Sequence, residues 1–182
     1  MSKEHAAIDD RLAAFMLAQP VFFVGTAPAD GEGHVNVSPK GLAGSFAVLG
    51  PQEVAYLDLT GSGAETIAHL RDDARICLMF CAFEGPPDIV RLHGRGEAVV
   101  PGAPGFDDLV ARFPDRPGIR SVIRVAVDRV SDSCGFGVPR MTLEGDRAQL
   151  VKWAERKGDP ALDEYRRTRN ARSIDGLPAI GG

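Results

Sequence analysis

The sequence predicts a mainly β fold: an antiparallel sheet closed into a barrel, with a few peripheral helices. Three observations predict it. The chain's 182 residues include 21 glycines and 13 prolines, a turn-rich composition that favours many short strands over a helix bundle. Its apolar runs are short, and several alternate with period two. The connections between them span roughly two to six residues, too few for parallel crossovers, which need about a dozen. Closure into a barrel is the usual way such a sheet removes its edges.

The elements follow in order. Ile8, Leu12, Phe15 and Met16 recur at helical spacing, predicting an amphipathic helix over 8–18 that stops before Pro20. Val21 to Ala27 is an apolar strand, 28–33 a turn, and His34 to Ser38 an alternating strand that Pro39-Lys40-Gly41 should break. Phe46 to Leu49 and Val54 to Leu59 form a second hairpin around Gly50-Pro51. A polar turn leads into a helix over Ala64 to Arg71, then an apolar strand from Ile76 to Phe83. In the next strand, Ile89 to Val100, the positions Arg91, His93, Arg95 and Glu97 share one face, while Val90, Leu92, Gly94, Gly96 and Ala98 share the other. A short helix is predicted over 105–113, a last strand over Ile119 to Val130, and helices over 146–157 and 160–170. The count is about six or seven strands in one domain spanning 1–182.

Bulk properties exclude several classes. The net charge of −4 offers no basic field for nucleic acid or an anionic membrane surface. No apolar segment approaches the ~20 residues of a membrane span. Cys77, Cys81 and Cys134 make no CxxC and no even disulfide set, and the N-terminus has no signal-like apolar run, so a cytoplasmic location is expected. The alternation of Cys77 and Cys81 with bulky apolar residues makes them core residues. No histidine has ligand-like spacing to other His, Cys or Asp, so no metal is expected.

The most informative stretch runs from Tyr56 to Leu70. Leu59-Thr60-Gly61-Ser62-Gly63 joins a strand to a helix N-terminus. Hydroxyls together with backbone amides at such a point suit an anion, typically a phosphate. Beside an apolar strand, a nucleotide or flavin is a more natural occupant than a free ion.

Three segments resemble the pyridoxamine 5′-phosphate oxidase-like family of FMN-binding split barrels. They are Val35-Asn36-Val37-Ser38-Pro39-Lys40-Gly41, the block from Tyr56 through Phe83 to Gly94, and Ser131-Asp132-Ser133-Cys134-Gly135-Phe136-Gly137-Val138-Pro139. The likeness covers roughly 8–140 as a barrel core, leaving 146–182 as C-terminal helices and a tail. It implies a six-stranded antiparallel split barrel and a homodimer with FMN at the interface. Carried over by position, Asn36, Val37 and Ser38 would lie along the ring and ribityl chain, and Leu59 and Thr60 would also touch flavin. Gly61, Ser62, Glu65 and Thr66 would surround the phosphate. Side chains of Ser38, Lys40, Thr60, Ser62 and Thr66 would supply polar contacts, and backbone groups of Val37, Leu59 and Gly61 the rest.

The chain departs from this family in three places. Ala64-Glu65-Thr66 stands where many members carry a Ser-Arg-Lys phosphate clamp, so the cations must come from elsewhere: Lys40 first, then Arg75 or Arg91. Ile89 replaces a flavin-contacting Gln. The C-terminus lacks the Trp- and Arg-bearing segment that grips pyridoxal phosphate. The expected function is therefore an FMN-dependent oxidoreductase of unassigned small-molecule substrate, not a pyridoxal phosphate-forming oxidase. The alternative is a non-catalytic binder of flavin, the deazaflavin F420 or haem, the last requiring His34, His69 or His93 as axial ligand. The tail carries Ile174, Leu177 and Ile180 and is expected to dock on something, the partner's cofactor site being one possibility.

Overall fold

The computed structural model describes residues 2–181. In chain order its elements are β1 (Lys3–His5), α1 (Asp10–Ala18), β2 (Val21–Thr26), β3 (Asn36–Gly41), β4 (Phe46–Gly50), β5 (Glu53–Leu59), α2 (Glu65–Asp72), β6 (Arg75–Cys81), β7 (Ile89–Val99), α3 (Phe106–Val110), β8 (Ile119–Ser133) and α4 (Gln149–Arg169). The strands form one antiparallel sheet in the order β3-β2-β6-β7-β8-β5-β4, with β1 added on β8. The expected β character and antiparallel pairing are present. The sheet has eight strands rather than six. The additional β1, Lys3-Glu4-His5, is polar and carries no alternation. It exists because β8 is long enough to pair with it, Glu4 lying opposite Ser131.

Aromatic packing shows how far the sheet curls. β2 and β4 lie far apart along the strand order, yet Phe22 and Phe46 have ring centroids 5.4 Å apart. Phe80 closes the triangle at 5.2 Å and 4.9 Å from them. Tyr56 meets Phe22 edge-on at 5.4 Å. Strands so separated can touch only if the sheet wraps round a shared interior, and these rings fill it with Leu78, Leu92 and Ile123. Helix α1 lies against β4. The Asp9 carboxylate caps it by accepting the Leu12 amide at 2.8 Å, and the helix buries Leu12 and Met16.

Two boundaries differ from the sequence reading. Pro39 does not end its strand: β3 runs from Asn36 through Pro39 to Gly41. It is an edge strand paired only with β2, and a proline whose missing N–H faces outward removes no ladder bond. The two predicted C-terminal helices form the single range α4, broken at Gly158, whose φ of 68° leaves the helical region. Pro160 follows the break, where it tolerates the restart of a helix.

One glycine is required by close approach. At the β7–β8 register shift beside His93, a Cβ on Gly94 would stand 2.1 Å from the Ala126 carbonyl oxygen. Both partners are backbone, so no side chain can give way. Gly94→Ala is expected to destabilise the fold by about 3 kcal/mol, seen as a lower urea midpoint at unchanged slope.

Candidate functional site

Strand alternation builds the first wall. On β3, Asn36, Ser38 and Lys40 face inward, while Val35 and Val37 are exposed on the other side. Opposite stand the end of β5, the turn after it and the first turn of α2. The cavity between them has a volume of about 990 Å³, at the upper end of small-molecule sites. Of the ten residues the sequence nominates, Asn36, Ser38, Lys40, Leu59, Gly61, Ser62, Glu65 and Thr66 line it.

Val37 and Thr60 do not line the cavity. The Val37 side chain is 66% exposed on the outer face of β3. Thr60 is buried, its hydroxyl donating to the Gly118 carbonyl at 2.9 Å and accepting from Arg166 Nε at 2.9 Å. Its amide also bonds Gly118, at 2.8 Å. Thr60 thus fastens the turn to the strand and helix behind it and has no hydroxyl hydrogen left for a ligand.

The cations are Lys40 and Arg120, with Arg147 on the rim. Asp58, fully buried on β5, joins the first two. Arg120 Nε donates to Asp58 Oδ2 at 2.5 Å, Arg120 Nη2 to Oδ1 at 3.3 Å, and Ser121 Oγ to Oδ2 at 3.2 Å. Lys40 Nζ reaches Asp58 Oδ1 at 3.4 Å. Burial alone would raise the Asp58 carboxyl, but the charges of Arg120 and Lys40, with hydrogen bonds from Arg120 and Ser121, hold it below the usual carboxylate range. Burial, and next the Asp58 charge, push the nearby Tyr56 hydroxyl well above its ordinary value, so it stays protonated. Two cations around one carboxylate leave the cluster with a net positive charge on the cavity wall.

Arg75 and Arg91, the other expected cations, are elsewhere. Arg75 pairs with Asp73 at the start of β6. Arg91 donates to Ser133 Oγ at 3.1 Å, across β7 and β8. Arg120 went unrecognised in the sequence although a signal existed. Asp58 interrupts Leu57 and Leu59, and Arg120 precedes Ser121-Val122-Ile123. Opposite charges in two buried strands demand each other as partners.

The chain's C-terminal part closes the back of the site. Asn170 is fully buried. Its Oδ1 accepts from Arg120 Nη1 at 3.1 Å, and its Nδ2 donates to the Gly61 carbonyl at 3.0 Å. Glu65 binds the tail, Oε2 accepting the Ile174 amide at 3.0 Å. Asp175 then accepts the His34 amide at 2.8 Å and faces His34 Nδ1 at 2.6 Å. Leu177 and Ile180 pack on the core, and Ala179 is fully buried. The tail therefore docks on its own chain beside the site.

Asn36 is fixed by its amide, Nδ2 donating to Thr26 Oγ1 at 3.0 Å and Thr66 Oγ1 at 3.2 Å. Thr26 Oγ1 in turn lies 3.0 Å from His69 Nδ1. Ser38 Oγ is a buried atom with no hydrogen-bond partner. Neither His34, His69 nor His93 lines this cavity. Cys81 is buried, Cys77 half-buried and Cys134 exposed, all as free thiols. Among the described residues, no group of His, Cys, Asp and Glu is placed to hold a metal, and no helix is long and apolar enough to cross a membrane.

A family model for pyridoxamine 5′-phosphate oxidase matches residues 8–134, the span that carries both cavity-lining strands and Arg120. The chain belongs to the pyridoxamine 5′-phosphate oxidase family. The family's protein ustO from Aspergillus flavus is 42% identical over 194 aligned residues, covering 97% of this chain and 77% of that protein. Among solved structures, a substituted form of Group A Streptococcus HupZ superposes with a TM-score of 0.54 at 21% identity, covering 69% of this chain and 99% of that one. A conserved hypothetical protein of Mycobacterium tuberculosis gives 0.50 at 17% identity, covering 79% and 98%. At such identities these structures show the shared fold, the split barrel of this family.

Two outcomes follow from the buried cluster. Asp58→Asn strands Arg120 and is expected to destabilise by about 3–5 kcal/mol. Because the folded Asp58 pKa is depressed, its stabilisation is present above the ordinary carboxylate range and is lost as pH falls through the folded value. Acid unfolding of the Asn variant, followed by circular dichroism, should therefore show a shallower pH dependence than wild type. Deleting residues 170–182 removes Asn170 and the tail contacts together, so its thermal midpoint should fall; an unchanged midpoint would mean the tail is undocked in solution.

Proposed function

We propose that this chain is an FMN-dependent oxidoreductase acting on a small organic molecule, working as a homodimer with the cofactor near the subunit interface. The observation that carries the reading is the Lys40–Asp58–Arg120 cluster on the wall of a cavity already lined by Asn36, Ser38, Ser62 and Thr66. Cations missing from the first turn of α2 are supplied from β3 and β8. The positions around the cavity fit the group. Lys40 and Arg120 would hold the phosphate, and Ser38 Oγ, buried without a protein partner, would gain one. Asn36, with its amide hydrogens directed at Thr26 and Thr66, would present its carbonyl oxygen to a donor on the ligand.

Bound flavin supplies the redox chemistry, accepting or giving a hydride. The chain's own residues bind, orient and set the local charge. Kinship with a family whose model is that of a flavin-linked oxidase supports the reading, as does the exposed Val35–Val37 face on edge strand β3, which suits burial against a second copy. No histidine lines either of the two cavities described in the chain, so haem finds no axial ligand there.

The purified protein is titrated with FMN and with riboflavin, following quenching of flavin fluorescence. Saturable FMN binding is expected. Lys40→Met, at a side chain 20% exposed, should weaken FMN by about 10- to 100-fold, the value of one charge-assisted bond. Riboflavin, which lacks the phosphate, should be nearly unaffected. A wild-type protein that takes up no FMN overturns the proposal, and equal losses for both ligands remove Lys40 from the phosphate.

A further inference from the structure

A second cavity of about 780 Å³ lies against the first. The two share Pro20, Val21, Gly41 and Leu42, at the ends of β2 and β3 and next to them, together with Asp146. We propose that this second cavity binds a neutral, ring-containing apolar molecule and is the substrate subsite of the proposed oxidoreductase; the word substrate rests on the flavin reading, while the ligand class rests on the cavity alone.

Its walls carry the argument. Met16, Phe22, Phe46, Phe83, Met141 and Leu143 are part of the lining. Aromatic and thioether groups offer a ring flat faces and adaptable contacts. The charge of the lining differs in sign from its neighbour's. Glu84 and Asp146 are its only charged residues, and neither lysine nor arginine contributes. The adjoining cavity is lined by Lys40, Arg120 and Arg147 against Glu65 and the shared Asp146, which leaves it one positive charge in excess. A phosphorylated or carboxylated ligand is therefore drawn to the first cavity and repelled from the second. A neutral ring gains there by burying apolar surface without stripping a charge of its water. The same charge pattern disfavours pyridoxamine phosphate as the occupant of the second cavity.

The outer wall is built rather than incidental. Residues 141–146 cross the cavity mouth with both ends tied. The Met141 amide donates to the Phe83 carbonyl at 3.0 Å, and the Asp146 carboxylate accepts the Ala43 amide at 3.0 Å. Between these ties Met141 and Leu143 remain 54% and 59% exposed. Large apolar side chains held side by side at a cavity mouth mark a binding surface more often than a packing need.

The test uses Nile red, a neutral polycyclic dye, and anilinonaphthalene sulfonate as its anionic counterpart, with the full chain in each case. Nile red is expected to bind saturably at one site per chain and more tightly than the sulfonate. Met141→Glu and Leu143→Glu, at exposed positions that leave the core intact, should each weaken Nile red at least tenfold, Met141→Leu should retain it, and all three should leave FMN affinity within twofold. Unchanged dye binding in both Glu variants overturns the proposal, as does equal or tighter binding of the sulfonate. If the Glu variants lose the dye and also halve in mass by sedimentation velocity, a second copy of the chain is the occupant and the proposal fails. The two readings fail separately: dye binding without FMN binding sinks only the flavin assignment, and FMN binding without dye binding sinks only the subsite.

Discussion

The ion pair between Asp58 and Arg120 is the constraint on which the rest of this structure turns. Both residues are buried, and a charge so placed persists only if another satisfies it. Asp58 lies on β5 and Arg120 on β8, adjacent antiparallel strands with Asp58 opposite Ser121. Their pairing fixes one wall of the barrel in register. Lys40 brings in the edge strand β3 from the far end of the sheet order. Asn170 brings in the end of α4, and through its amide the backbone of the turn at Gly61. One buried carboxylate thereby couples two strand walls, the edge strand, the C-terminal helix and the turn after β5.

That coupling bears on the turn before α2, where Glu65 and Thr66 open the helix. In the proposed reading, a phosphate at that turn would take its cations from β3 and β8. Asp58 holds Lys40 and Arg120 together at the cavity wall by accepting from both. Glu65 in the first helical turn is then free for a different use. It receives the Ile174 amide and seats the tail, and His34 and Asp175 hold that tail further along. The carboxylate that stands where many family members carry a clamp cation is part of the chain's own closure.

The two adjoining cavities extend the same logic to ligands. They share a wall near Gly41, Leu42 and Asp146 but differ in charge, one carrying Lys40, Arg120 and Arg147 against Glu65 and Asp146, the other only Glu84 and Asp146. A fold that sorts charge in this way can hold an anionic group and a neutral ring side by side, with the shared wall setting their separation. The aromatic cluster of Phe22, Phe46 and Phe80 serves both purposes, filling the barrel interior and, through Phe22 and Phe46, facing the apolar cavity.

Local information determined much of this protein. Period-two alternation in His34–Ser38 and Ile89–Val100, apolar runs at Val21–Ala27 and Val54–Leu59, helical spacing in 8–18 and short glycine- and proline-bearing connections specified an antiparallel β fold, because strand faces and turn chemistry are properties of neighbouring residues. The alternation of His34 to Ser38 likewise placed Asn36 and Ser38 on one face; Lys40, expected in the break after that strand, joined them only because β3 continues to Gly41. Tertiary structure decided the rest. It let β3 pass through Pro39, because only an edge strand leaves that position without a required N–H. It turned Thr60 from a ligand contact into a fastening of the turn to Gly118 and Arg166. It selected Arg120 over Arg75 and Arg91, since which guanidinium reaches Asp58 depends on strand pairing between residues 62 positions apart. Charge partners separated so widely in sequence are joined only when the sheet forms, and no local pattern records that meeting.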